Sequence, residues 1–199
     1  MKKSIVLSLL LLLSFGVGWA CVFFPVTNYY IYKVVPADDA ASGPSLYEGS
    51  IRKWADYCGG ISLEDADAAL AELSLLSPED FAQSKNIIIH TARQRGDVPT
   101  IAYLRDLVDY LYASRMLHPH EWDYPTKQDV ASARKILQRL SALPLKSGKW
   151  SGEYRLLRAR CAFALDRYAE VAQLWESSTK DATASWSPIF RNLYAGALV

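Results

Sequence analysis

His118-Pro119-His120-Glu121-Trp122-Asp123 gathers the metal-type side chains of this chain into one short run. Histidines two apart converge on zinc when they stand on a strand, and Asp123 would supply an oxygen ligand. Here Pro119 puts His118 and His120 in a turn between helices, whereas a zinc site needs three or four convergent ligands and an ordered second shell. A solvated loop is the reading preferred over a metal centre. His90 stands alone within a helical stretch and reads as packed or surface-exposed rather than catalytic.

Other short runs look like chemistry but fail on spacing. Gly148-Lys149-Trp150-Ser151-Gly152 suggests a hydrolase elbow, yet that motif needs glycines two before and two after the serine, with a strand ahead of it. Lys146-Ser147-Gly148-Lys149 lacks the upstream glycine of a phosphate loop. Cys58-Gly59-Gly60 lacks the flanks of a thiol-protease site and reads as a loop cysteine. Asp106 and Asp109 share a helix side, where carboxylates usually serve solubility. The chain is therefore expected not to be an enzyme and to carry no cofactor.

The first residues dictate an address. Lys2 and Lys3 precede an apolar run from Ile5 to Ala20, and Gly18-Trp19-Ala20 sets small residues before Cys21. A basic start, an oily core and small residues at a cut site describe an export signal. With Cys21 directly after the small residue, the segment resembles a bacterial lipoprotein signal. That resemblance implies that Cys21 carries lipid and becomes the mature N-terminus. Simple cleavage, or a retained membrane anchor of about 20 residues, are the alternatives. All three place the rest of the chain outside the cytoplasm, in the bacterial cell envelope or periplasm.

Composition narrows the partners. Setting aside residues 1–20, which hold Lys2 and Lys3, leaves 20 of the 22 basic side chains against 21 acidic ones. Nucleic-acid binding needs a basic stripe that displaces counterions, and the densest basic group, Arg155, Arg158, Arg160 and Arg167, spreads over several helix faces. Nucleic acid is excluded as a partner. With Cys21 lipidated, Cys58 and Cys161 remain as a possible disulfide in an oxidising compartment. Burial of Cys161 on a helix is the preferred alternative.

These residues need elements to position them, and the periodicity is helical. Residues 21–60 read as an extended leader, aromatic and proline-broken, with helical order starting near Leu46–Tyr57 before Gly59-Gly60. From residue 61 onward helix punctuation recurs. Ser62 caps a helix with Leu63, Ala66, Leu70, Leu73 and Leu76 on one face. Ser77-Pro78 opens a second that runs to Arg95-Gly96, although Ile87-Ile88-Ile89 would suit a strand. Pro99-Thr100 precedes a third with a stripe of Ile101, Leu104, Leu107, Val108, Leu111 and Tyr112. Thr126 with Asp129 caps a fourth. Two closely linked helices follow at about Gly152–Asp166 and Tyr168–Ser178, and a last one starts near Ser187-Pro188 and still runs at Val199.

The pair at Tyr154–Ser178 carries a more specific pattern. Ala159 stands where two helices would cross, and Asp166-Arg167-Tyr168 forms a turn into the second helix, which holds Val171 and Trp175. These positions resemble a tetratricopeptide helix pair, departing from it at Arg158, where Leu is expected. The resemblance implies an all-α fold of stacked antiparallel helical hairpins over 61–199, a solenoid-like arrangement that binds along a concave face. Tyr103, Tyr110, Arg155 and Arg158 are the candidate residues for such a face. The apolar end at Phe190–Val199, with no polar closing helix, predicts a solenoid incomplete at its C-terminus. The expected function is that of an exported protein- or peptide-binding or scaffolding module. The alternatives are a truncated remnant without independent activity, and a metal-binding or enzymatic protein using the His118–Asp123 loop.

Overall fold

The computed structural model describes residues 47–118, 124–145, 148–178 and 184–198. Among them the chain is all-helical, with eight α-helices, one 3-10 turn and no strand. In chain order these are α1 (Glu48–Tyr57), α2 (Leu63–Leu75), the 3-10 turn (Asp80–Gln83), α3 (Ile87–Gln94), α4 (Val98–Leu117), α5 (Lys127–Ser141), α6 (Ser151–Ala164), α7 (Tyr168–Glu176) and α8 (Ser187–Ala197). The export signal, Cys21 and the rest of the leader to residue 46 lie outside the described residues, as do 119–123.

Local chemistry sets the boundaries. At N-termini, the Ser62 hydroxyl accepts from the Asp65 amide at 3.0 Å and the Asp97 carboxylate from the Thr100 amide at 3.2 Å. Thr126 and Asp129 satisfy each other's backbone amides, both at 3.1 Å, which is the reciprocal box their spacing predicts. Three C-termini close with one motif, in which an amide just past the helix reaches back to the last turn: Gly60 to Ala55 O, Asp97 to Ala92 O and Arg167 to Ala162 O. The left-handed residue in that motif is Gly59 (φ +91°), Gly96 (φ +60°) and Asp166 (φ +61°) respectively.

The second expected helix is not continuous. Its start is only the 3-10 turn at Asp80–Gln83, the chain extends at Ser84, and α3 starts afresh at Ile87. Asn86 causes the restart. It is buried, its side-chain oxygen accepts from the Ile88 amide, and its amide nitrogen donates to Ala69 O at 2.8 Å and to Glu72 at 2.9 Å. A side chain so engaged caps a helix rather than continuing one. The Ile87-Ile88-Ile89 run is helical, with Ile88 and Ile89 fully buried. The last helix ends at Ala197, with Leu198 as its C-cap.

Each helix from α3 onward packs on the next in chain order, and α1 packs on α2. Contacts also run from α2 to α4, α4 to α6 and α6 to α8. Two apolar clusters result. One gathers Leu70, Ile88, Leu104, Leu107, Leu137 and Leu157, and the other gathers Ala159, Val171, Leu174, Trp175, Ile189 and Phe190. Ile51, Trp54 and Ala55 of α1 belong to the first cluster, so the packed body includes residues ahead of the boundary that the sequence suggests at residue 60. Tyr47, just before α1, packs against both clusters.

Candidate functional site

Aromatic and charged side chains meet where α1, which packs chiefly on α2 and α3, reaches Tyr103 of α4, the start of α6 and the segment ahead of α8. Trp150, the N-cap of α6, sits at the centre. Its ring stacks on Trp54 of α1 (centroids 5.0 Å, planes 17° apart) and on Tyr103 of α4 (4.9 Å, 3°). Its indole N–H donates to the Thr100 hydroxyl at 2.8 Å. Gly148 makes the approach to this position, at φ +106°, a conformation that side-chain-bearing residues avoid. Tyr154, one turn along α6, meets Tyr103 edge-on at 5.4 Å and donates its hydroxyl to Asp106 at 3.1 Å.

Cations flank this stack. The Lys53 ammonium lies 4.3 Å from the Trp150 ring centre and also bonds the Glu153 carboxylate in the first turn of α6. Lys149 lies 4.6 Å from the Tyr57 ring and pairs with Asp97 at 3.1 Å. An ammonium over an indole face gains from the ring quadrupole, more so as water is excluded. Ser50 donates to Ser185 O at 3.4 Å, and a Cβ on Gly49 would lie 3.4 Å from the Ser185 Cα, so α1 approaches the backbone ahead of α8 closely. A cavity of about 20 Å³ remains in the seam, lined by Lys53, Glu153, Arg160 and Trp186 among others. That is room for a water molecule, against several hundred Å³ for a small-molecule site.

Electrostatics match this packing. Burial pushes the Asp97 carboxyl up, but hydrogen bonds from Thr100, Lys149 and Tyr57 outweigh it and hold the group at about 2. Burial, with Asp106 alongside, drives the Tyr154 phenol well above its ordinary value. The Cys161 thiol, fully buried on α6, is pushed up to about 12 by burial, which removes its nucleophilic form at neutral pH. Burial also raises the Cys58 thiol.

The candidates from sequence are scattered, and several are corrected. Tyr103 and Tyr110 do not line a binding face. Both are buried, because α4 touches α2, α3, α5 and α6 and is covered on most sides. Arg155 donates to Ser177 and Arg158 to Glu170 (3.2 Å), so both hold α6 to α7. Cys58 and Cys161 are free thiols and make no disulfide. His118 caps the end of α4, half-buried, and burial lowers its pKa. His120 and Asp123 lie outside the described residues, as does Cys21. Among the described residues no group of three or more His, Cys, Asp or Glu is placed to hold a metal, and no helix is long and apolar enough to cross a membrane.

Asp106 and Asp109 do more than keep a surface soluble. Both face Arg139 of α5, Asp109 through a direct ion pair, and Asp106 also accepts from Tyr154 of α6. Spacing alone did not single out Lys53, Trp54 or Glu153, and it met Trp150 only within the rejected Gly148–Gly152 run. The available signal was that Trp54 and Trp150 each directly follow a lysine. Comparison with known protein families, with curated proteins and with solved structures finds no match to the chain.

Proposed function

We propose that this chain is an exported binding module of stacked helical hairpins, recognising a protein or peptide and held to the bacterial cell envelope by lipid on Cys21. The packing order carries the binding reading. Helices α2, α4, α6 and α8 form a row in which each touches the next, while α3, α5 and α7 each pack on the following member of that row. Hairpins that bury their stripes on their neighbours extend in one direction and offer long surfaces to a partner. The seam cavity, at about 20 Å³, suits a structural water rather than a substrate. The Lys2–Cys21 segment supports export and lipidation through its residue order.

The test is photo-crosslinking in intact cells, with the reactive residue placed at exposed positions such as Gln138 of α5 and Glu176 of α7. A discrete adduct of constant mass from one face supports a defined partner. Adducts absent from every face overturn the binding reading. Cys21→Ser is expected to release the protein from the membrane fraction, and unchanged fractionation would refute the lipid tether.

A further inference from the structure

We infer that copies of this chain associate through two helices of opposite charge, the solvent face of α2 on one copy against the solvent face of α5 on another. The sequence segregates its charge around these helices. Between Lys53 and Lys85 stand seven carboxylates and no lysine, arginine or histidine. Between Asp129 and Glu153 stand five cations and no carboxylate. A chain of net charge +1 therefore carries one acidic tract and one basic tract.

The two tracts meet solvent on faces of matched register. Glu64, Ala68, Ala71 and Glu72 are exposed on α2, and Lys127, Ala131, Arg134 and Lys135 are exposed on α5. In both sets the second, third and fourth residues follow the first by four, seven and eight positions, so each set shares one side of its helix. At a rise of about 1.5 Å per residue, the outer charges of each set stand about 12 Å apart along the axis. Laid side by side, the helices set Glu64 and Glu72 against Lys127 and Lys135 at the two ends of the contact. In the middle, Ala68 and Ala71 leave room for Ala131 and for the stem of Arg134. Small residues there permit axes about 8 Å apart, the short end of helix spacings.

Neither set is taken up within its own copy. Among the described residues, Glu64, Glu72, Lys127, Arg134 and Lys135 enter no ion pair. Glu72 lends one oxygen to Asn86 at 2.9 Å. Arg139, by contrast, is engaged by Asp106 and Asp109 of α4. Leu75, three residues beyond Glu72, is 68% exposed, apolar surface that a neighbouring helix would cover. An anionic lipid surface would attract α5 and repel α2, whereas a second copy uses both faces. The contact is heterologous. A copy engaged through α2 still offers its α5, so association runs past a pair unless it closes on itself. This association needs neither export nor the partner proposed above.

Sedimentation velocity on the full chain, at rising concentration, tests the pairing. The mean mass is expected to exceed that of one chain at low ionic strength. It should fall back in salt, as screening shortens from about 30 Å at 0.01 M to about 3 Å at 1 M. Glu64→Lys with Glu72→Lys, and separately Lys127→Glu with Lys135→Glu, should each weaken association at least about tenfold. Mixing the two variants should restore it, because each supplies the charge that the other lacks. Ala68→Trp changes no charge, holds the helices apart from an exposed site, and serves if a charge reversal fails to fold. A mass of one chain at every salt and concentration overturns the pairing. So does association that salt leaves unchanged, or a mixture that associates no better than its parts. A monomer held on phosphatidylglycerol vesicles by Lys127 and Lys135 would also overturn it, and would give α5 to a membrane.

Discussion

Where α6 meets α7, small and apolar residues do the work: Ala159, Val171, Leu174 and Trp175 share one cluster, and Ala159 and Val171 are fully buried. Arginines lie at its rim, Arg155 on Ser177 and Arg158 on Glu170. Where α6 meets α1, the contact is made of indoles, a phenol, an ammonium, a carboxylate and a water-sized space. The first junction gains its stability chiefly from close packing, with the Arg158–Glu170 pair confined to its rim. The second gives up some dryness for contacts that depend on residue identity. One helix thus carries two kinds of joint, a generic one and a selective one, on different sides.

Deleting the largest side chain from each joint is the strongest way to test this contrast. Trp54→Ala is expected to cost about 3–5 kcal/mol in urea unfolding, and Trp175→Ala a similar amount. Trp54→Ala should also lower amide protection in both clusters, because Trp54 belongs to the first and Tyr47, just ahead of α1, packs against both. A loss under about 1 kcal/mol for Trp54→Ala would show that the seam is ornamental to stability. Next comes Gly152→Ala. A Cβ there would fall 2.0 Å from the Trp186 ring nitrogen, so the indole must move. The expected cost is about 1–3 kcal/mol, with a change in near-UV circular dichroism; an unchanged spectrum would mean that Trp186 sits elsewhere.

How much of this was legible in the sequence follows the same division. Caps at Ser62 and Thr126, and the helix start at Ser187-Pro188, were readable because such signals are local, needing only residues a few positions apart. The α6–α7 pair was readable for the same reason, its two helices lying close in the chain. The break at Asn86 was not, since its cause is a hydrogen bond to Ala69 O seventeen positions back. The seam was still less so. Lys53 and Glu153 are 100 positions apart, and Ser50 and Ser185 are 135 apart. No local pattern announces such a pairing. Tyr103 and Tyr110 were misplaced because a stripe read on one helix does not tell how many neighbours that helix has.

Smaller effects sharpen the contrast. Asp97 belongs to the seam, and its carboxyl is held at about 2 against an ordinary 3.8. A depressed folded value gives stability that is present above the ordinary value and lost as pH falls through the folded one. The stability–pH curve should therefore drop by about 2 kcal/mol between about pH 4 and pH 2. Asp97→Asn should flatten that part of the curve, and a curve unchanged by this substitution would count against the assignment. At the α6–α7 turn, Asp166 holds a left-handed conformation that glycine adopts freely. Asp166→Gly is expected to stabilise by up to about 1 kcal/mol in thermal unfolding. Destabilisation instead would assign the larger role to the hydroxyl of Tyr168, which donates to Asp166 at 3.1 Å.

The reach of α1 from residue 50 to residue 185 also governs the order of events at birth. This helix leaves the ribosome early, yet part of its resting place is made more than a hundred codons later. Until then its tryptophan face has no complete shelter, and non-local closure is the slow part of folding. The nascent α1 has α2 and α3 to lean on early, and its tryptophan seam is completed only once Trp150 and Ser185 have been made.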